Sequence, residues 1–145
     1  MPLFTEHSLD FDGTNDHVLI GNVPELSFER TDPFSLAGWV KITSSTDGYL
    51  ISKIEGSPLI GWGLYINGGQ VDLLIFNDTN QARIRTGVVV FEGFWFHIAG
   101  TSAGTGTVAG LNLYINGSSV GVSTIDDNLG ANSILTTDLS LIHIS

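Results

Sequence analysis

The sequence predicts an all-β fold: a two-sheet antiparallel jelly-roll sandwich. Three observations carry this. Gly61 to Phe76 reads as a hairpin: Trp62, Leu64 and Ile66 alternate with Gly63, Tyr65 and Asn67, Asn67-Gly68 offers a tight corner, and Val71, Leu73 and Ile75 carry the apolar side back. The five letters Leu-Tyr-Ile-Asn-Gly return at Leu113 to Gly117, again flanked by apolar alternation. Apolar residues nowhere recur at helical spacing; about ten short runs are separated by Gly, Asn and Asp clusters instead.

In chain order, Ser8 to Ile20 reads as two short strands around Asp12-Gly13-Thr14-Asn15-Asp16, with Leu9, Phe11, Val18 and Ile20 on the apolar side. Asn22 to Pro33 is loop, with one helical turn at Pro24-Glu25-Leu26. Phe34 to Ile42 is a strand: Phe34, Leu36, Val40 and Ile42 share a face with Gly38, and Ala37 and Trp39 lie opposite. Tyr49 to Ile54, Ala82 to Phe91 and Phe94 to Thr101 are further strands. Arg83 and Arg85 share one side of the second, and Trp95, His97 and Ala99 oppose Phe94, Phe96 and Ile98 in the third. Ala103 to Gly110 reads as a flexible Gly/Thr loop, Leu111 to Thr124 as the second hairpin, and Asp126 to Asn132 as polar turn.

The chain has 145 residues, enough for one domain with a real core. Only 14% of residues are charged, so Ser, Thr, Asn and 18 Gly carry much of the surface and the turns. The net charge is −10, which argues against nucleic acid and anionic membranes and permits cation binding. Zero cysteines exclude thiol catalysis, disulfides and thiolate metal sites. The start, Met1-Pro2-Leu3-Phe4-Thr5-Glu6, lacks the basic and apolar regions of a signal peptide, and no apolar run is long enough to span or insert into a membrane. An extracellular or virion-surface location, reached without such a leader, is the expectation.

The last seven residues, Leu139 to Ser145, match one reading frame of the adapter DNA attached to fragments in transposase-based sequencing libraries. They are read as a scar, leaving 1–138 as the domain, and His143 enters no site. A genuine final strand is the alternative, because Leu139, Leu141 and His143 alternate with Ser140 and Ile142.

Ser8-Leu-Asp-Phe-Asp-Gly-Thr-Asn-Asp-His-Val, Phe34-Ser-Leu-Ala-Gly-Trp-Val-Lys, Gly61-Trp-Gly-Leu-Tyr-Ile-Asn-Gly-Gly, Phe94-Trp-Phe-His-Ile-Ala-Gly and Leu113-Tyr-Ile-Asn-Gly occur in this order. Together they resemble the laminin-G-like modules of the concanavalin A-like lectin/glucanase superfamily. The resemblance implies a jelly roll with one concave face, acting mostly as a carbohydrate- or protein-binding module, sometimes with a structural calcium. The family's closing Ile-Asp-Glu-Val-like strand is not found, which implies a sheet lacking its last strand.

Catalysis is the weakest reading. Glycoside hydrolysis needs two carboxylates roughly 5–9.5 Å apart, and the Glu-x-Asp-x-x-Glu run of jelly-roll glycanases is absent. Asp10 and Asp12 sit beside a turn. Gly117-Ser118-Ser119-Val120-Gly121 matches a nucleophile elbow but lacks the helix that the elbow requires. Asp10, Asp12, Asn15 and Asp16 offer hard oxygens for Ca2+, with Asp12 and Asp16 the candidate ligands; turn-forming bonds to their own backbone are the plainer reading. Trp and Tyr rings suit the apolar faces of sugars. Trp62 reads as core, whereas Tyr65, Trp95, His97 and Tyr114 face away from the apolar side and form the candidate ligand set. The expected function is non-catalytic binding of a glycan or a cell-surface protein, with no cofactor required. The alternative is a structural or adhesive domain of a viral particle or tail. A second copy, or neighbouring domains of a longer protein, complete the expected partners.

Overall fold

The computed structural model describes residues 8–12, 16–43, 47–56, 58–136 and 140–142. These form eleven strands: β1 Val18–Gly21, β2 Pro33–Lys41, β3 Gly48–Glu55, β4 Ile60–Asn67, β5 Gln70–Asn77, β6 Asn80–Val89, β7 Trp95–Ala103, β8 Leu111–Ile115, β9 Ser118–Ser119, β10 Val122–Asp127 and β11 Ser140–Ile142. The larger sheet runs β1-β11-β3-β4-β5-β6-β10 and the smaller β2-β7-β8-β9, with antiparallel neighbours throughout. Among the described residues, no helix is long and apolar enough to cross a membrane.

The inner faces follow the period-two pattern. From the large sheet come Trp62, Leu64, Ile66, Val71, Leu73, Ile75 and Ile84; from the small sheet Phe34, Leu36, Val40, Ile98, Leu111 and Leu113, all buried in one cluster. Gly100 permits close approach of the layers, since a Cβ there would lie 3.0 Å from a Leu64 methyl and 3.2 Å from one of Leu73. The loop before β2 closes one end of the core. Leu26 accepts the Trp62 indole N–H at 3.3 Å, and Phe28 stacks on Phe34 with centroids 4.8 Å apart. Lys53 points inward and is fully buried; its ammonium donates to Ser27 Oγ (2.7 Å) and Asn22 Oδ1 (3.1 Å), and burial lowers its pKa.

The structure differs from the sequence reading at six places. Residues 8–12 form no strand and Leu9 is exposed; β1 alone remains, with Leu19 and Ile20 exposed, because it lies at a sheet edge and pairs only with the short β11. The expected turn residues 13–15 and 44–46 lie outside the described residues. The first hairpin turns at Gly68-Gly69 (φ +56° and +79°), one residue later than expected, so that Ile66 meets Val71 rather than a glycine. Phe94 precedes its strand and is exposed, because Gly93 (φ +80°) turns the chain just before it. Residues 108–110 of the expected flexible loop make a 3-10 turn whose Gly110 is buried against Thr105. The second hairpin has only a two-residue return arm, β9, after which the chain crosses to the large sheet as β10. The expected polar turn contains Leu129, fully buried; a lone apolar residue has no periodic signal to reveal it.

The final strand, β11, lies between β1 and β3 and pairs with both. Residues 139 and 143–145 lie outside the described residues.

Candidate functional site

The four expected ligand residues fall on two opposite surfaces. Trp95, His97 and Tyr114 share the outer face of the small sheet. In β2 and β7, Lys41 is opposite Trp95, Trp39 opposite His97, and Ala37 opposite Ala99; Ala99 is in turn opposite Tyr114. Cross-strand partners share a face, so these residues form rows on one surface. Trp39 and Trp95 are 46% and 39% exposed, far above what a core tryptophan shows. Trp39 and His97 contact edge-on, with centroids 5.4 Å apart. Ala37 and Ala99 make the next row a low floor, bounded by Tyr114 on its far side.

This surface follows from the same alternation that builds the core. Phe96 and Ile98 go inward, so Trp95, His97 and Ala99 must go outward. The β8–β9 turn holds it in place. Asn116 adopts φ +51°; its N–H donates to the His97 carbonyl at 2.8 Å and its Oδ1 accepts the His97 N–H at 2.9 Å. Trp39 belongs to this surface as well, and its place in the alternation with Val40 marks it as outward. Asn116 was legible only as a turn residue.

Tyr65 lies on the outer face of the large sheet. Its ring meets Tyr49 edge-on, with centroids 4.8 Å apart, and its cross-strand partner is Asp72. Asp72 is fully buried. Its Oδ1 accepts from Arg85 Nε at 2.7 Å, and its Oδ2 accepts from Arg85 Nη2 at 2.9 Å, from Arg83 Nε at 2.7 Å and from Arg83 Nη2. The Arg85 pKa is raised, chiefly by its hydrogen bond to Asp72. Sequence reading put Arg83 and Arg85 on one side but could not give the register that brings Asp72 to them. As the one buried carboxylate among the described residues, Asp72 is so fully engaged that it has no free oxygen for proton transfer.

Asp12 and Asp16, the candidate metal ligands, are exposed; the Asp12 N–H donates to Asp16 Oδ2 at 3.0 Å, a turn bond of the kind Asp makes with nearby backbone. Asn15 lies outside the described residues. Among the described residues, no three His, Asp or Glu side chains gather where they could hold a metal.

Two packed antiparallel sheets with a solvent-facing aromatic surface define a lectin-like jelly-roll sandwich. The chain belongs to the laminin G-like family of the concanavalin A-like lectin/glucanases superfamily, whose model matches residues 12–141. Curated protein sequences give no match. Among solved structures, the binding domain of Paraclostridial Mosquitocidal Protein 1 is similar over 89% of this chain and 33% of its own, at 14% identity and a TM-score of 0.67. The botulinum neurotoxin serotype G binding domain is similar over 89% of this chain and 32% of its own, at 19% identity and a TM-score of 0.65. Domains LG4-5 of the mouse laminin alpha1 chain are similar over 81% of this chain and 29% of theirs, at 16% identity and a TM-score of 0.54. The chain thus spans about a third of the length of these structures, and the likeness is one of fold.

Proposed function

We propose that the protein is a non-catalytic binding module that recognises a glycan on the outer face of its small sheet. The carrying observation is the pair of half-exposed tryptophans, Trp39 and Trp95, on one face with His97 and Tyr114. Flat indole faces cover the apolar faces of pyranose rings, while His97, Lys41 and the Tyr114 hydroxyl supply polar contacts around them. That two of the similar structures are binding domains supports the binding reading without naming a ligand. A panel of immobilised glycans tests it. Binding should appear, and Trp95→Ala should weaken it by about tenfold or more while Tyr65→Phe leaves it unchanged. Silence across the panel, or reducing ends released from polysaccharide, would end this reading.

The reading needs no metal. Asp12 and Asp16 are the proposed place for a structural Ca2+, which would raise the melting temperature of the wild type and not of Asp16→Asn.

A second reading, as a structural or adhesive domain of a viral particle or appendage, has one observation in its favour. Phe91 and Phe94, 67% and 66% exposed, stand on the β6–β7 connection as an apolar tip suited to docking on a neighbouring protein.

A further inference from the structure

The dipeptide Asn-Gly occurs twice, at Asn67-Gly68 and Asn116-Gly117, each time after Leu-Tyr-Ile. Its chemistry allows a spontaneous reaction. The glycine backbone nitrogen, unshielded by any β-carbon, gives up its proton and attacks the Asn carboxamide carbon. The N–Cγ bond forms, the Cγ–Nδ2 bond breaks, and the nitrogen leaves as ammonia. Water then opens the cyclic imide at either carbonyl, giving aspartate or isoaspartate. Water enters and ammonia leaves; no cofactor or oxidant is needed. The letters leading into each copy are the same, so the surrounding structure decides which one reacts.

The first copy is protected. Asn67 ends an eight-residue strand in unbroken register with β5, and that pair is flanked by β3 and β6. Asp47 Oδ1 accepts the Gly68 N–H, the reacting group, at 2.8 Å. The second copy has neither protection. Residues 116–119 are all exposed, and the return arm β9 is two residues long. Among the described residues nothing accepts the Gly117 N–H, and a Cβ on Gly117 would meet nothing within 4 Å, so water and base reach that nitrogen. The left-handed turn at Asn116 must open before the nitrogen can reach Cγ, and so short an arm opens readily.

We propose that Asn116 is a modification site: it deamidates spontaneously while Asn67 is spared, and the product loosens the outer face of the small sheet. Asn116 bonds to both the N–H and the carbonyl of His97, which stands in the row with Trp39. Isoaspartate carries the main chain through the side-chain carboxyl and lengthens the turn by one carbon, so those two bonds cannot both form. Either product adds a negative charge beside that row. Any consequence for glycan recognition rests on the reading above; the modification does not.

Peptide mass mapping of the full chain, held in mildly alkaline buffer at body temperature and sampled over time, tests this. The peptide holding Asn116 should convert, mostly to isoaspartate, and the one holding Asn67 at least about tenfold more slowly. In full denaturant the two rates should converge. Gly117→Ala, whose β-carbon crowds the nitrogen, should slow conversion even though it strains the turn. The His97 backbone amide signal in a nitrogen–proton NMR spectrum should shift in step with conversion, while the Trp62 indole signal stays fixed. Equal rates in the folded protein, faster loss of Asn67, or a difference that persists in denaturant would overturn the proposal. So would an Asn116 that stays intact after the same peptide, free in solution, has converted, or a His97 amide unmoved by full conversion. Fresh protein that binds no glycan would remove the glycan reading and leave the modification to be decided by the mass map.

Discussion

The segments Leu64-Tyr65-Ile66-Asn67-Gly68 and Leu113-Tyr114-Ile115-Asn116-Gly117 have the same letters and do different work. In both, Leu and Ile point toward the core and Tyr points away. Their turns differ. The first pairs Asn67 with Gln70 and bends at Gly68-Gly69, with Asp47 Oδ1 accepting the Gly68 N–H at 2.8 Å. The second bends at Asn116-Gly117, because the next residue is Ser118 and not a second glycine. Their surroundings differ more. The first hairpin lies in the middle of the large sheet, and even its outward residues Asp72, Leu74 and Phe76 are buried. The second lies at the edge of the small sheet, and its tyrosine joins the exposed aromatic surface. A strand pattern thus fixes which way a side chain points, while the sheet around it decides whether that direction means structure or contact.

The comparison breaks most sharply at Asp72. Asp72→Ala would strand two guanidiniums and should cost about 3–5 kcal/mol in urea unfolding. Tyr114→Ala should cost about 1 kcal/mol and instead weaken glycan binding. Equal losses would erase the distinction between the two outward faces.

The turns come next. A Cβ on Gly69 would lie 2.7 Å from a Val89 methyl, whereas one on Gly117 meets nothing within 4 Å, and both positions have positive φ. Gly69→Ala should therefore cost about 2–3 kcal/mol, strain plus clash, and Gly117→Ala about 1 kcal/mol, strain alone. Asn116→Ala loses a bond to His97 and a tolerated left-handed conformation, about 1–2 kcal/mol, whereas Asn67→Ala should stay within about 0.5 kcal/mol.

The smallest effect is in alkali. Burial first, then the Tyr65 charge, raises the Tyr49 pKa; burial, then Asp47 and Asp72, raises that of Tyr65 against the pull of Arg83 and Arg85. Folded values above the unfolded value of about 10 mean that the neutral hydroxyls favour the fold. Their contribution is complete below about pH 10 and is lost as pH rises through the folded values. The urea midpoint should fall more steeply above that pH in wild type than in the Tyr49→Phe, Tyr65→Phe double variant.

The sequence made the layers legible because alternation is a local signal. Trp62 inward and Trp95 outward both follow from their immediate neighbours. What it hid depends on pairing across the chain. Tyr65 stands on the other sheet from Trp95, His97 and Tyr114, because alternation says outward without saying from which sheet. The Asp72–Arg83–Arg85 cluster needed the β5–β6 register, and the short β9 needed the crossover into the large sheet. Leu129 and the offset turn at Gly68-Gly69 were settled by packing, which no short window of sequence records.

The central claim, that the small-sheet outer face is the contact surface, can be read from three indole N–H signals in a nitrogen–proton NMR titration with a glycan that the panel identifies. Trp62 is the internal control, buried and bonded to the Leu26 carbonyl. The Trp39 and Trp95 signals should move together and saturate while that of Trp62 stays fixed. Saturating binding that leaves Trp39 and Trp95 in place, or that shifts the backbone amides around Tyr65 instead, would contradict the account.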